Sequence, residues 1–394
     1  MKKALAFILA MVTCIGILAS ASQASDTEPM PDSSTTTPSS ALEINAKSAV
    51  LMEAKTGTVL YQKQEYLESS PASVTKIMTL LLVAEALEAG AYELDDEVSI
   101  SSYAASMGGS QVFLEEGEIF TVEELIKCTV IASANDAAVA LAEFTAGTED
   151  AFVKRMNERS GELGLTNTCF ENTTGLDDTT LSHYSCAMDI AIMSRELIKH
   201  DIILKYSALW QDTIRNGEFT LTNTNRLVRY YSGCNGLKTG STDKAGFCVS
   251  TTAKRGNMQL IAVVMGAEST EERNACARAM LDFGFAGYTL AEFPSEYLEN
   301  IPVIQGRISS AQLYSDGFTI LIEKAKASKI EEKYIIPESI SAPVKKNSAV
   351  GKILYYLDGE KIGETNILVG DEVESVSFFD MFLSIMKNIF CGRG

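Results

Sequence analysis

The chain has 394 residues, 46% of them hydrophobic, and a formal net charge of −19, so it can bury a substantial core and form two domains, while its acidic balance argues against nucleic acid as a partner. Its eight cysteines are scattered, without Cys-x-x-Cys spacing or a histidine cluster, which points away from a disulfide framework and from a metal site. Because His183 and His200 are the only two histidines, a Ser-His-Asp hydrolase is hard to assemble, whereas a Ser-Lys one is easy.

In chain order, Met1-Lys2-Lys3 leads into an apolar run from Ala4 to Ala19, followed by small-residue cleavage sites at Ala19-Ser20-Ala21 and Ser22-Gln23-Ala24. This pattern predicts a secretory signal peptide over residues 1–24. Residues 25–42, with Ser33-Ser-Thr-Thr-Thr-Pro-Ser-Ser, form a polar low-complexity stretch predicted to be a disordered linker. Two strand-like runs, Ser48-Ala-Val-Leu-Met-Glu and Val59-Leu-Tyr-Gln-Lys, flank Lys55-Thr56-Gly57, which reads as a hairpin turn. Pro71 then precedes Ser73-Val74-Thr75-Lys76 and a buried-type helix that Gly90 stops. Further on come Ser133-Ala134-Asn135 and Lys238-Thr239-Gly240, the latter running into the plausible strand Gly246-Phe-Cys-Val-Ser-Thr-Thr-Ala.

Ser73 and Lys76, three residues apart, share a helix face and can approach hydrogen-bonding distance. A lysine acts as a base only when neutral, so burial and a nearby positive charge must lower its pKa. Lys238 is the candidate for that charge. The start of the helix offers unpaired N–H groups beside Ser73.

Phe293-Pro294 marks a boundary. Beyond it, segments such as Thr319-Ile-Leu-Ile-Glu, Gly351-Lys-Ile-Leu-Tyr-Tyr-Leu and Glu360-Lys-Ile-Gly-Glu-Thr, with a turn at Asp358-Gly359, predict a small β-rich domain over residues 294–374. Residues 375–394 read as an amphipathic helix whose polar residues, Ser377, Asp380, Ser384, Lys387 and Asn388, gather on one face. About sixteen helical residues span ~24 Å, less than the ~30 Å hydrocarbon core, so the helix is predicted to lie in a membrane interface.

The three motifs, in this order, resemble those of penicillin-recognising serine enzymes. The surrounding segments Pro71-Ala-Ser-Val-Thr-Lys-Ile-Met-Thr, Gly117-Glu-Ile-Phe-Thr-Val-Glu-Glu-Leu, Asn172-Thr-Thr-Gly-Leu, His183-Tyr-Ser, Gly236-Leu-Lys-Thr-Gly-Ser-Thr-Asp-Lys-Ala-Gly and Asp282-Phe-Gly-Phe look like those of low-molecular-weight penicillin-binding proteins acting as D-alanyl-D-alanine carboxypeptidases. The resemblance implies an α/β (α+β) catalytic domain over residues 43–293, with a helix-flanked antiparallel sheet of β-lactamase/transpeptidase type and the β-rich domain behind it. Peptidoglycan stem peptides are the implied substrate and β-lactams the implied inhibitors. With the signal peptide and the C-terminal helix, the expected location is outside the cell, at the outer face of the cytoplasmic membrane, and no cofactor or metal is expected.

Carried over residue by residue, the resemblance makes Ser73 the acylated group, Lys76 its base and Ser133 a proton relay. Asn135 would hold the substrate amide, and Lys238 and Thr239 of Lys238-Thr239-Gly240 the terminal carboxylate region, with Arg273 also on that carboxylate. The backbone N–H groups of Ser73 and Ser241 would form the oxyanion hole. Ala134 stands where many relatives have glycine, and Ser241 where some have histidine. His183 is expected to position structure around Asp189. A class A β-lactamase shares the motifs, but no Glu-x-x-Leu-Asn occurs between Ser133 and Lys238. A DD-endopeptidase acting on cross-links with the same residues, and a catalytically silent peptidoglycan-binding protein, are the other readings.

Overall fold

The computed structural model describes residues 42–177 and 180–391. The predicted signal peptide, and all but the last residue of the predicted linker, lie outside the described residues.

The N-terminal part is built on a five-stranded antiparallel sheet of β1 (Ser48–Glu53), β2 (Val59–Lys63), β3 (Cys234–Thr242), β4 (Gly246–Arg255) and β5 (Met258–Ala267), in the order β2-β1-β5-β4-β3. β1 and β5 are central and almost wholly buried, which is why they read as unbroken apolar runs rather than alternating ones. Alternate residues serve two cores. Leu51, Val249, Leu260, Ala262 and Val264 pack on one side with Ala277, Met280 and Leu281 of helix Thr270–Gly287. Val50, Met52, Cys248, Ile261, Val263 and Met265 face the larger helical body on the other.

Within that body α1 (Lys76–Glu88) is buried on most sides, from Lys76 through Leu81 and at Val83 and Ala84. It ends as predicted at Gly90, whose φ of +72° permits the bonds Gly90 N–H to Leu87 O (3.0 Å) and Ala91 N–H to Ala86 O (3.0 Å), the Schellman closure of a helix. The Lys55-Thr56-Gly57 copy is the β1–β2 turn, with Gly57 at φ +74° and Glu53 accepting from the N–H groups of Lys55 and Thr56. Lys55 itself pairs with Glu292 at the surface.

In the C-terminal part a six-stranded sheet runs in the order Glu331–Ile335, Ala349–Leu357, Glu360–Val369, Ser310–Ser315, Tyr297–Ile304, Ile340–Ser341. The Asp358-Gly359 turn has φ of +49° and +85°, the left-handed pair that a tight hairpin requires. The predicted boundary at Phe293-Pro294 cuts close to a shared element. Strand Tyr288–Phe293 pairs with Phe318–Glu323 of the C-terminal part, and the Phe293 ring stands 4.4 Å from that of Tyr355. On the same strand Leu290 is buried in the core shared with Leu51, Val249 and Leu260. One strand therefore belongs to both bodies. The chain ends in the helix Phe378–Cys391, with Phe378, Phe379, Met381, Phe382, Leu383 and Ile385 exposed.

Candidate active site

Ser73 does not lie on the long helix itself. It sits on a single 3₁₀ turn, Ala72–Thr75, that feeds directly into Lys76 at the start of α1. In that geometry residues three apart eclipse, which aligns Ser73 with Lys76 more closely than an α-helical turn would. The turn is held from two sides by glycines. Gly240 of β3 lies so close that an added Cβ would stand 2.8 Å from the Ser73 amide nitrogen and 2.9 Å from Pro71 O, and one on Gly175 would stand 1.8 Å from Ala72 O. Ala72 takes φ +48° and Ser133 φ +63°. Non-glycine residues in the left-handed region are uncommon, and here one precedes Ser73 while the other lines the same cavity as Ser73.

Lys76 is fully buried. Its Nζ donates to Ser73 Oγ (3.0 Å), to Asn135 Oδ1 (2.5 Å) and to Thr174 O (2.8 Å). Burial, first, and the ammonium of Lys238, second, hold its pKa well below that of a free lysine, against a smaller opposing pull from Asp136. Asp136 is committed elsewhere, accepting from the backbone N–H groups of Val112 and Leu114, so it braces the wall next to Asn135. Asn135 also donates to Gly108 O at 2.7 Å. Hydrogen bonds to these three acceptors favour the ammonium, but no carboxylate pairs with it, so burial and the charge of Lys238 prevail.

Lys238 is buried as well, and burial followed by the charge of Arg273 lowers its pKa to about 7. Thr239 Oγ1 donates to Thr224 Oγ1 at 2.8 Å. Arg273, which alone reads as a solvated helix arginine, is 4% exposed, and burial brings its pKa down to about 10. Ser73, Ser133, Thr239, Gly240, Ser241 and Arg273 all line one cavity of about 780 Å³. Lys76, Asn135 and Lys238 stand just behind its wall. The structure therefore brings the whole predicted set together, although the motifs lie far apart in the chain.

Residues 34–269 match the D-alanyl-D-alanine carboxypeptidase family, and residues 293–375 match the penicillin-binding protein 5 C-terminal domain. The chain belongs to the D-alanyl-D-alanine carboxypeptidase family. It is 43% identical over 346 residues to D-alanyl-D-alanine carboxypeptidase DacF of Bacillus subtilis, covering 86% of this chain and 88% of that one. Against DacA of Escherichia coli K12 the identity is 33%, with 88% of each chain covered. Penicillin-binding protein 5 of Haemophilus influenzae superposes with a TM-score of 0.75 at 31% identity, covering 84% of this chain and 98% of its own. Penicillin-binding protein D2 of Listeria monocytogenes, solved in its ampicillin-bound form, superposes at 0.57 with 30% identity, over 62% of this chain and 99% of its own.

One expectation needs refinement. His183 does not act on Asp189: its Nε2 meets Thr75 Oγ1 at 2.8 Å and its Nδ1 accepts from the Glu171 amide, so it steadies the turn that carries Ser73. Asp189 instead accepts from Asn167 N–H and Thr168 Oγ1. The third acceptor of Lys76, the carbonyl of Thr174, escaped sequence reasoning, because a backbone oxygen leaves no mark on residue type. Its segment did leave one. Asn172 Oδ1 accepts from the N–H groups of Thr174 and Gly175, which is what an Asn followed by a turn glycine provides.

Proposed function

We propose that this cavity is the active site of a serine-type D-Ala-D-Ala carboxypeptidase that removes the terminal D-alanine of peptidoglycan stem peptides through an acyl-enzyme. The observation that carries this reading is Lys76 Nζ at 3.0 Å from Ser73 Oγ, inside a buried site where Lys238 depresses its pKa. Neutral Lys76 takes the Ser73 proton as Oγ attacks the carbonyl of the penultimate residue. The developing oxyanion is received by the backbone N–H groups of Ser73 and Ser241, on either side of Gly240. Ser133 passes a proton to the departing amine, Asn135 orients the peptide amide, and Lys238, Thr239 and Arg273 hold the terminal carboxylate. Water then hydrolyses the ester. All of these groups belong to the chain, so the reaction as drawn calls on no cofactor or metal.

β-Lactams fit the same scheme as inhibitors. A deacylating glutamate is what a class A β-lactamase adds, and here the position behind Lys76 is filled by the carbonyl of Thr174. The carboxylate of nearby Glu171 is engaged by the amides of Leu181 and Ser182. These contacts favour a long-lived penicilloyl-enzyme. Incubation with penicillin followed by peptide mass mapping tests the reading: the adduct should fall on Ser73 and be absent from Ser73→Ala, and an adduct elsewhere would refute the assignment.

Export and membrane association form part of the same proposal. They are supported by the basic and apolar pattern of residues 1–24, and by the row of exposed apolar side chains on the helix Phe378–Cys391. Among the described residues no helix is long and apolar enough to cross a membrane. Fourteen residues rise only ~21 Å, so the helix would lie in the interface with its apolar face down. The enzyme would then work at the outer face of the cytoplasmic membrane.

A further inference from the structure

The cavity extends past the groups assigned to the terminal carboxylate. From Thr239 it continues through Thr224, hydrogen-bonded to it at 2.8 Å, to a shelf formed by Trp210, Arg226 and Tyr230. The shelf is rigidly built. Asn223 donates to the carbonyls of Ser207 (3.0 Å) and Leu209 (2.8 Å), and Asn225 donates to Gly236 O (2.9 Å) and Thr251 Oγ1 (3.1 Å). Asn225 Oδ1 in turn accepts from the Leu227 amide. Both asparagines are buried, so the turn bearing Arg226 is locked to β3. The rings of Trp210 and Tyr230 lie 6.4 Å apart, with the guanidinium of Arg229 5.3 Å and 5.4 Å from their centres.

Two features exceed what a leaving D-alanine needs. The cavity, about 780 Å³ in all, does not end at Thr239 and Arg273 but continues to Trp210, Arg226 and Tyr230, whereas alanine offers one methyl group beyond its carboxylate. The second feature is charge. Arg226 is close enough to lower the pKa of Arg273, and none of the residues lining the cavity is acidic. Two guanidiniums lining one cavity without a carboxylate are complementary to two anionic groups rather than one.

We infer that Arg226, with the Trp210–Tyr230 shelf, is a leaving-group subsite for a D-residue larger than alanine that carries a second carboxylate on its side chain. The inference rests on the carboxypeptidase reading, since Arg273 and Lys238 take the first carboxylate. The reaction is unchanged in form: the amide between the penultimate D-alanine and the leaving residue breaks, the amine departs with the proton that began on Ser73, and water hydrolyses the Ser73 ester.

The test uses the full chain and N-acylated peptides ending in D-Ala-D-Ala, D-Ala-D-Gln and D-Ala-D-Glu. The subsite predicts that kcat/KM for the D-Glu peptide exceeds that for the isosteric D-Gln peptide by about tenfold, the worth of a charge-assisted hydrogen bond. That ratio should fall to about one in Arg226→Ala and be largely kept in Arg226→Lys. Equal rates for D-Glu and D-Gln in the parent enzyme, or a preference that persists in Arg226→Ala, would overturn the inference while leaving D-Ala-D-Ala cleavage intact. Failure to cleave any of the three by protein that penicillin still acylates would instead refute the carboxypeptidase reading, and the subsite with it.

Discussion

At the scale of single residues the site depends on keeping one lysine amine neutral beside a lysine ammonium that is charged. Lys76→Ala removes the base, and acylation of Ser73 by penicillin should slow by roughly 10²–10⁴-fold; an unchanged acylation rate would remove Lys76 from that role. The two lysines titrate in opposite service. Activity falls on the acid side as the depressed pKa of Lys76 is crossed and its amine is protonated. It falls on the alkaline side from about pH 7 upward as Lys238 loses the charge that holds the substrate carboxylate. A bell-shaped kcat/KM profile is therefore expected, and bound substrate should push the alkaline limb upward.

His183 gives a separate prediction about stability. Burial brings its pKa from 6.5 to about 4. Between those values the unfolded chain binds a proton that the folded one refuses, so stability is lost as pH falls through that window, by on the order of 3 kcal/mol if fully expressed. Melting temperatures of wild type and His183→Gln should converge as pH is lowered from 7 to 4. A constant difference across that range would contradict the assignment.

At the scale of elements, β3 and the nucleophile turn are in contact through Gly240. Gly240→Ala places a Cβ 2.8 Å from the Ser73 amide, so the turn must shift, and acylation should drop by an order of magnitude or more while the sheet still forms. Retained acylation would show that the turn tolerates displacement. This contact also shows what was legible in advance. Ser73, Lys76, Ser133, Asn135 and Lys238 were readable because each occurs in a short motif whose chemistry depends on side-chain type. The 3₁₀ turn was not, because Ala72 takes φ +48° where Gly175 and Gly240, far away in sequence, pack against the turn. The partners of Lys76 lie 59 and 98 positions from it, and one is a backbone carbonyl. Asn223 and Asn225, which fix the Arg226 shelf, read only as loop residues until their carbonyl partners are seen.

At the scale of the molecule, the β-rich C-terminal part follows from apolar runs and turn residues, whereas the order β2-β1-β5-β4-β3 sets β1 beside a strand distant in sequence, which no local pattern shows. The strand Tyr288–Phe293 was harder to place, since it pairs with one body and buries Leu290 in the other, and a proline after it reads as a boundary. The C-terminal helix carries the proposal for membrane association. A chain ending at Glu374 should lose co-sedimentation with anionic lipid vesicles while still releasing D-alanine in solution, and vesicle binding that survives the truncation would place the membrane contact elsewhere.

The central claim is that Ser73, activated by Lys76, hydrolyses a terminal D-Ala-D-Ala bond. Its most direct test is free D-alanine released from a stem pentapeptide ending in D-Ala-D-Ala, measured for the intact protein and for Ser73→Ala. The account predicts stoichiometric release by the first and none by the second. Release that persists in Ser73→Ala, or none from folded wild-type protein, would contradict it.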